Sequence, residues 1–598
     1  AIRGGTISNR EEDGRAAVLA ARQRLDIGAS VINNREKALI FSAGGGSDAL
    51  NIGGILDAND QAAGRAGLIL NDSAVIESLG GLTLASARLL NRNLHLRTEL
   101  AQIGGPTKHF YIQPEGDPEK HDASEYRWEK WSGAGRYRHN QTGADAKAWT
   151  EYDVTQTEYE TQVMESAPAL IRASGNMTLR GDELINDKSQ IIAGGTLRGD
   201  LARLDNVAAP GEHVTHQTGP SRYTYAKKRK WPHKSHKRRW DSKITYAPAD
   251  IVKTVELNVS SVEQNAAGAG SGFALTARRQ TGQVDAASVD GNVRAPGGTG
   301  ARQITEVRAQ VNRVHSPEVV TGAQVTDGNG PVQISAQAVA GVNGETPMII
   351  RTVQADTGAP ANSLFRAGPD ASGYLVETDP RFADYRNWLS SDYMLSQLGN
   401  DPATVHKRLG DGFYEQKLVR DQIGQLTGRR FLDSYASDEA QYRALLEAGV
   451  TYAKTWNLRP GVALSAEQMA QLTSDIVWLV ERDVTLADGS TTRALTPQVY
   501  VRVKPGDIDG NGTLLAASAI DINLKGDLVN VGAIAGRAAV KLTGENLRNL
   551  GGRITADAVA LNGRTDIDNI GGTLDARSRL VLNAGRDLNV ASTTHSDA

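Results

Sequence analysis

Across residues 528–588 the apolar positions return at a spacing near twenty. Leu528, Leu547, Ile567 and Leu588 fall in one column, at separations of 19, 20 and 21 residues. Val540, Val559 and Leu580 form a second column, and Leu542, Leu561 and Leu582 a third. Within each unit apolar and polar residues alternate over short runs (AVKL, VALN, RLVLN), the period of two expected of a strand with one buried face. Gly551, Gly552, Gly571 and Gly572 punctuate the corners. Such a unit is too short to bury its own apolar face and too strand-like for paired helices, so neighbours must stack to close a core. The pattern predicts a β-solenoid in which each coil adds about 4.8 Å. Asn530, Asn549 and Asn569 recur at one corner, which predicts a stacked amide ladder.

The same pattern returns less regularly in LDIGASVIN, LNIGGILDA and LGGLTLASARLLN near the start, and in IRASGNMTLRGDELIND and IIAGGTLRGDLARLDN over 171–206. Between the repeats the chain changes character. Segment 107–165 alternates polar and aromatic residues with no evident second core, and reads as long strands. Segment 221–246 pairs RYTY with ITY around KKRKWPHKSHKRRW, a hairpin with a basic tip. Residues 264–300 are rich in Gly and Ala and read as a flexible connection; VQISAQAVAGV and PMIIRTVQA then regain strand-like alternation. From Tyr374 to about Val480 the period becomes helical. Ser465 and Gln468 fit a capping box, with Met469, Leu472, Ile476, Leu479 and Val480 on one predicted helix face.

The expected organisation is therefore a mainly β chain: a right-handed parallel β-helix with extended hairpin excursions and an inserted α-helical module. Its segments are β-helix over 1–106, an aromatic strand excursion over 107–170 and further coils over 171–206. A second hairpin excursion with a basic tip over 207–260 and a Gly-rich linker with extended strands over 261–372 come next. A mostly helical module over 373–500 and a C-terminal β-helix over 501–598 complete the chain.

Composition sharpens this picture. Sixty-three Gly and only 7 Phe in 598 residues suit stacked strands with tight corners. Lys plus Arg number 66 against 69 Asp plus Glu, and the net charge of −3 argues against a chain built around a polyanion, so no nucleic-acid partner is expected. The absence of Cys suits a chain threaded unfolded through an oxidising compartment. No run of 18 apolar residues is present to span a membrane as a helix. The opening AIRGGTISN lacks a basic or apolar leader and falls inside a repeat, so the chain is expected to be part of something longer.

All 8 Trp and all 16 Tyr lie between residues 96 and 505, outside the terminal repeats. Exposed Trp, Tyr and Arg on long strands are the composition enriched at protein interfaces. The candidate binding residues are accordingly Trp128, Trp131, Tyr137, Trp149, Tyr152, Tyr223 and Tyr225. The basic tip adds Lys227, Lys228, Arg229, Lys230, Trp231, Lys234, Lys237, Arg238, Arg239 and Trp240. Such a tip attracts phosphate, sulfate or lipid head groups, while its Trp residues suit sugar rings or a membrane interface.

Other motifs carry less. The triplets Arg180-Gly181-Asp182 and Arg198-Gly199-Asp200 share a frame with Lys525-Gly526-Asp527, so they read as turns rather than as recognition motifs. The run Asp507, Asp509, Asn511, Gly512 starts like a calcium loop but has Ser518 where the bidentate acid belongs. His213 with His216, and His233 with His236, lack partner ligands. No G-x-S-x-G, H-E-x-x-H or Walker loop is present. No catalytic residue, metal site or cofactor is assigned, and the region is read as a non-enzyme.

The units GDLVNVGAIAGRAAVKLTGENLRNLGGRITA and LVLNAGRDLNVASTT resemble the filamentous haemagglutinin repeats of bacterial two-partner secretion exoproteins. YLVETDPRFADYRNWLSSDYML, KRLGDGFYEQKLVRDQI and GVALSAEQMAQLTSDIVWLVE resemble the segment between the repeat regions of contact-dependent growth inhibition exoproteins of the CdiA type. The resemblance implies a secreted monomer on a Gram-negative cell surface, exported by an outer-membrane transporter. It further implies recognition of an outer-membrane receptor, protein or lipopolysaccharide/glycan, on a neighbouring cell, with the repeats that follow helping to deliver a C-terminal toxin. The alternative the same repeats imply is an adhesin for host glycans or receptors. No residue motif for binding carries over, so the candidate contacts above rest on their chemistry.

Overall fold

The apolar column seen at the C-terminal end continues through every repeat. In the computed structural model, Ile7, Ile32, Ile69, Leu89, Leu184, Leu204, Leu528, Leu547, Ile567 and Leu588 pair one above another in parallel strands. A second column runs Leu19, Ile40, Ile76, Ile171, Ile191, Leu515, Ile534, Ile554 and Leu574. Apart from Leu588, which is exposed on the last coil, these positions form one continuous hydrophobic cluster in a 21-stranded sheet. Each fully buried Ile or Leu stabilises the stack by about 1.5–3 kcal/mol, which a single coil could not collect. The structure describes residues 1–229, 235–259, 262–266, 302–308, 349–358, 360, 362–368, 373–402, 407–486 and 489–592. It divides into two units, one of 1–97, 163–209 and 258–598, the other of 98–162 and 210–257.

Two residues beyond the first column sits an inward-facing asparagine, and these side chains join into one ladder. Nδ2 of Asn9 donates to Oδ1 of Asn34, and the chain of donations continues through Asn71, Asn91, Asn186, Asn206, Asn530, Asn549 and Asn569, each at 2.7–2.8 Å. The second amide proton of most rungs reaches a backbone carbonyl of the next coil, as from Asn34 to Val75 (3.0 Å) and from Asn186 to Leu514 (3.2 Å). Every rung is buried, so full pairing is what makes its burial tolerable. The ladder stops where Val590 stands opposite Asn569. The glycine doublets make room for it. Gly551 adopts φ +73°, and a Cβ on Gly552 would lie 2.5 Å from Asn530 Nδ2.

The ladder crosses two long interruptions, between Asn91 and Asn186 and between Asn206 and Asn530, without losing register. Strand Met177–Asp187 therefore lies directly on Leu82–Arg92, and strand Leu528–Asn530 directly on Arg203–Val207. The repeat blocks are one stack. Both Arg-Gly-Asp triplets lie inside its strands, Met177–Asp187 and Thr196–Leu201, and not in turns. At Gly181 a Cβ would meet the Ser86 carbonyl at 1.9 Å, so close backbone approach, rather than a positive φ, demands this glycine.

The insertion at 349–512 is an α/β module, more sheet-rich than its helical period predicts. Helices Gly412–Thr427 and Asp438–Trp456 pack on a sheet centred on Thr491–Arg502, around Trp478, Tyr442 and Tyr500. The Ser465–Gln468 capping box is present, but its helix ends at Ala470. Ile476, Leu479 and Val480 belong to strand Ile476–Thr485, antiparallel to Thr491–Arg502. Residues 476–480 are all buried, and a strand covered on both faces has no alternation to distinguish it from a helix. Most of the predicted connection over 261–372, including VQISAQAVAGV, lies outside the described residues.

The module is clasped to the stack by buried ion pairs. Arg430 donates to Glu77 of the stack (2.6 Å), to Asp438 (3.0 Å) and to Ser174 (2.8 Å), while Arg172 of the stack meets Asp421 (2.5 Å). Beside them Phe41 packs edge-on against Phe382 and Phe413 at 5.9 and 5.7 Å. The Arg420, Arg430 and Arg172 guanidiniums overcome the desolvation of Glu77 and hold its carboxyl down to about 2. Deeper in the module Glu415 pairs with no cation among the described residues, and burial pushes it up to about 7 despite bonds from Ser391 and Tyr442.

Candidate recognition surface

The second unit joins both excursions in one antiparallel sheet. Strands Arg97–Pro114, Trp149–Glu165 and Pro210–Lys228 run 18, 17 and 19 residues and lie side by side, with short strands His236–Trp240, Ile244–Tyr246 and Ile251–Glu256 along the last of them. Trp149 pairs with Thr224 and Thr224 with Trp240, so all three share one face. Tyr152, Ser221 and Ile244 pair three rows further along and occupy the other. The predicted contacts are thereby sorted onto two opposite faces.

On the tryptophan face a small three-stranded sheet (126–129, 136–139, 145–146) supplies Trp128 and Tyr137. Trp149 is 1% exposed and anchors them, its ring centroid 4.9 Å from Tyr137 and 5.7 Å from Trp128 in edge-to-face contacts. The Arg238 guanidinium lies 4.1 Å above Trp149 and donates to the carbonyls of Ala134 (3.0 Å) and Lys147 (3.1 Å). It is thus a structural cation, and burial lowers its pKa. Trp131 lies tilted against His236, ring centroids 4.6 Å apart. Trp128 and Trp240 remain 52% and 61% exposed, and Arg222 bridges Trp240 (5.9 Å) to Glu151 (3.0 Å).

On the other face Tyr223 and Tyr225 stack at 5.5 Å, and the Tyr223 hydroxyl donates to Glu115 at 2.7 Å. Burial together with that carboxylate pushes Tyr223 up to about 12. Tyr152 donates to Gln113 at 2.7 Å. Lys227, Lys228, Arg229, Lys237 and Arg239 are exposed on the paired ends of Pro210–Lys228 and His236–Trp240; Lys230, Trp231 and Lys234, with His233, lie outside the described residues. Of the histidines, His213 bonds Glu160 (3.1 Å) and His216 bonds Asp250 (2.6 Å).

Sequence reasoning passed over Tyr246, Asp241 and Lys120, which the fold brings to the tyrosine face. Tyr246 meets Tyr152 edge-on at 4.8 Å, and the Lys120 ammonium sits 4.5 Å from the Tyr246 ring. The ITY triplet alternated correctly for a strand, but no local signal places it beside residues 94 positions earlier.

Parallel coils of about twenty residues on a shared apolar column, with an inserted sheet and α/β module, define a haemagglutinin-repeat β-helix. The family described as Haemagglutinin repeat matches residues 3–100, 164–206, 496–563 and 553–598. Toxin CdiA of Yersinia pestis is 32% identical over 549 residues, covering 87% of this chain and 15% of the relative. The tRNA nuclease CdiA-2 of Burkholderia pseudomallei is 33% identical over 286 residues, 46% of this chain and 9% of the relative. Toxin CdiA of Escherichia coli is 32% identical over 214 residues, 36% of this chain and 6% of the relative. No solved structure matches the chain. The chain belongs to the CdiA-type filamentous haemagglutinins, a class of secreted cell-surface exoproteins. It spans less than a sixth of the length of these relatives. Among the described residues no helix is long and apolar enough to cross a membrane.

Proposed function

We propose that the antiparallel sheet unit is the recognition part of this exoprotein, binding an outer-membrane receptor on a neighbouring bacterium. Its action is binding and not catalysis. The observation that carries the reading is the pair Trp128 and Trp240, 52% and 61% exposed on a face otherwise held together by buried Trp149 and Arg238. Large aromatics kept in water cost stability unless a partner covers them, and Trp with flanking Arg is the composition of binding hot spots. The stack supplies a rigid carrier, and export would require the outer-membrane transporter of two-partner secretion.

Attachment of cells displaying the full exoprotein to target bacteria tests this. Trp128→Ala with Trp240→Ala should lower attachment about tenfold or more, hot-spot truncations each costing about 2 kcal/mol. Unchanged attachment by a correctly displayed double variant removes the surface from the proposal. Five exposed cations, Lys227, Lys228, Arg229, Lys237 and Arg239, favour a second reading, adhesion to sulfated host glycans. Under it, retention on heparin should collapse with salt and with substitution of those five residues, while attachment to bacteria would not change.

A further inference from the structure

From the geometry we infer that the tyrosine face carries a seat for a neutral sugar ring. The inference rests on the reading of this sheet as the recognition surface and narrows its ligand to a class. A cleft of about 520 Å³ opens there, lined by Tyr152, Tyr223 and Tyr246 with Ser221, Asp241 and Ser242. That volume lies within the roughly 300–1,000 Å³ of sites that seat small ligands.

Three features select the class. Tyr152 and Tyr246 meet at 69°, forming an aromatic corner; the Lys120 ammonium lies 5.5 and 4.5 Å from their ring centroids but does not line the cleft, and the ring surface that does line it suits the weakly positive C–H face of a pyranose. The hydroxyls of Tyr152 and Tyr223 are fixed by Gln113 and Glu115, both at 2.7 Å, so the rings are held in place without ligand. Asp241 is the one charged side chain among the described lining residues, with Ser242 next to it in the chain and Ser221 also in the lining. A carboxylate with adjacent hydroxyls accepts and donates bonds to sugar hydroxyls, and it repels a sulfate or phosphate placed in the same cleft. The backbone N–H of Asp241 donates to the Tyr223 carbonyl at 3.0 Å, which fixes the lip that carries it. Lys227, Lys237 and Arg239 follow along the same face past Tyr225 and outside the cleft, so an acidic substituent would lie there and not on the seated ring.

The test uses the full chain on an array of neutral oligosaccharides and their sulfated counterparts, followed by titration calorimetry with the neutral probe best retained. Neutral probes should be retained independently of salt. Tyr246→Ala should weaken that retention about tenfold and Asp241→Asn several-fold, whereas Lys237→Gln with Arg239→Gln should leave it unchanged. Asp241 is exposed, so its variant reports on the cleft even where Tyr246→Ala disturbs the short strand. Retention of sulfated probes alone, no neutral binding at about 10 mM, or neutral binding indifferent to both cleft variants overturns the inference. Attachment to bacteria that persists without neutral-sugar binding would sink the cleft and spare the recognition surface. Sugar binding with attachment indifferent to every variant of the sheet would do the reverse.

Discussion

Asn206 is the rung at which the stack resumes after 323 intervening residues, and its removal measures what the ladder contributes. Its Nδ2 donates to Asn530 (2.7 Å) and to the Ala533 carbonyl (3.3 Å), and its Oδ1 accepts from Asn186 (2.8 Å). Asn206→Ala removes all three bonds. Asn186 keeps the carbonyls of Ser189 (3.0 Å) and Leu514 (3.2 Å), so its donors remain paired. The Oδ1 of Asn530 loses its donor, at a site where Asn530 is 0% exposed. One orphaned acceptor at about 1–3 kcal/mol and the two other lost bonds at about 1 kcal/mol each sum to about 3–5 kcal/mol, and local relaxation returning about 1 kcal/mol gives an expected cost of about 2–4 kcal/mol. The assay is native-state hydrogen exchange over 203–207 and 528–530, because a repeat array need not unfold in two states. Protection there should fall between about 30-fold and several hundred-fold, with Asn589→Ala, at an exposed position, as the control. A loss below about threefold at Asn206 would mean that the apolar columns alone set the register, and the ladder argument would fail.

Three further outcomes follow from buried groups. Glu415 has its folded pKa raised from 4.5 to about 7, so its contribution is fully present below pH 4.5 and is lost as pH rises through 7, by about 3 kcal/mol; Glu415→Gln should flatten that slope in thermal melts at pH 5 and pH 8. Glu77 has the opposite sign, its pKa lowered from 4.5 to about 2, so its stabilisation of the clasp is present above pH 4.5 and fades as pH falls through 2. Glu77→Ala strands Arg420 and leaves Arg430 to Asp438, and should cost about 3–5 kcal/mol, read as lost exchange protection in helix Gly412–Thr427. Trp149→Ala should destabilise the sheet unit by about 3–5 kcal/mol, whereas Trp240→Ala, 61% exposed, should leave its melting unchanged.

The predicted columns and the amide ladder were legible because each is a local, repeated signal, whereas the expected pairing of RYTY with ITY was not: Thr224 and Tyr225 pair with Trp240 and Arg239, and ITY pairs with residues 219–221. Leu528, Leu547 and Ile567 pair as their spacing requires, and Asn530, Asn549 and Asn569 bond as their shared corner requires. The reading of Ile476, Leu479 and Val480 as a helix face failed because burial on both sides erases the alternation that marks a strand. The Arg-Gly-Asp triplets looked like turns because glycine's need for close approach and its need for positive φ leave the same letter in the chain.

The sequence alone determined that this chain would stack coils, since apolar and amide positions recurring every twenty residues have no other way to be buried. Only the tertiary structure decided that coils 324 residues apart are neighbours, with Asn206 bonded to Asn530. It likewise decided that two separate excursions share one sheet, pairing Tyr152 with Ser221, and that their aromatics divide between its faces. Such pairings are set by which distant strand edges meet, and no periodicity within either strand encodes its partner.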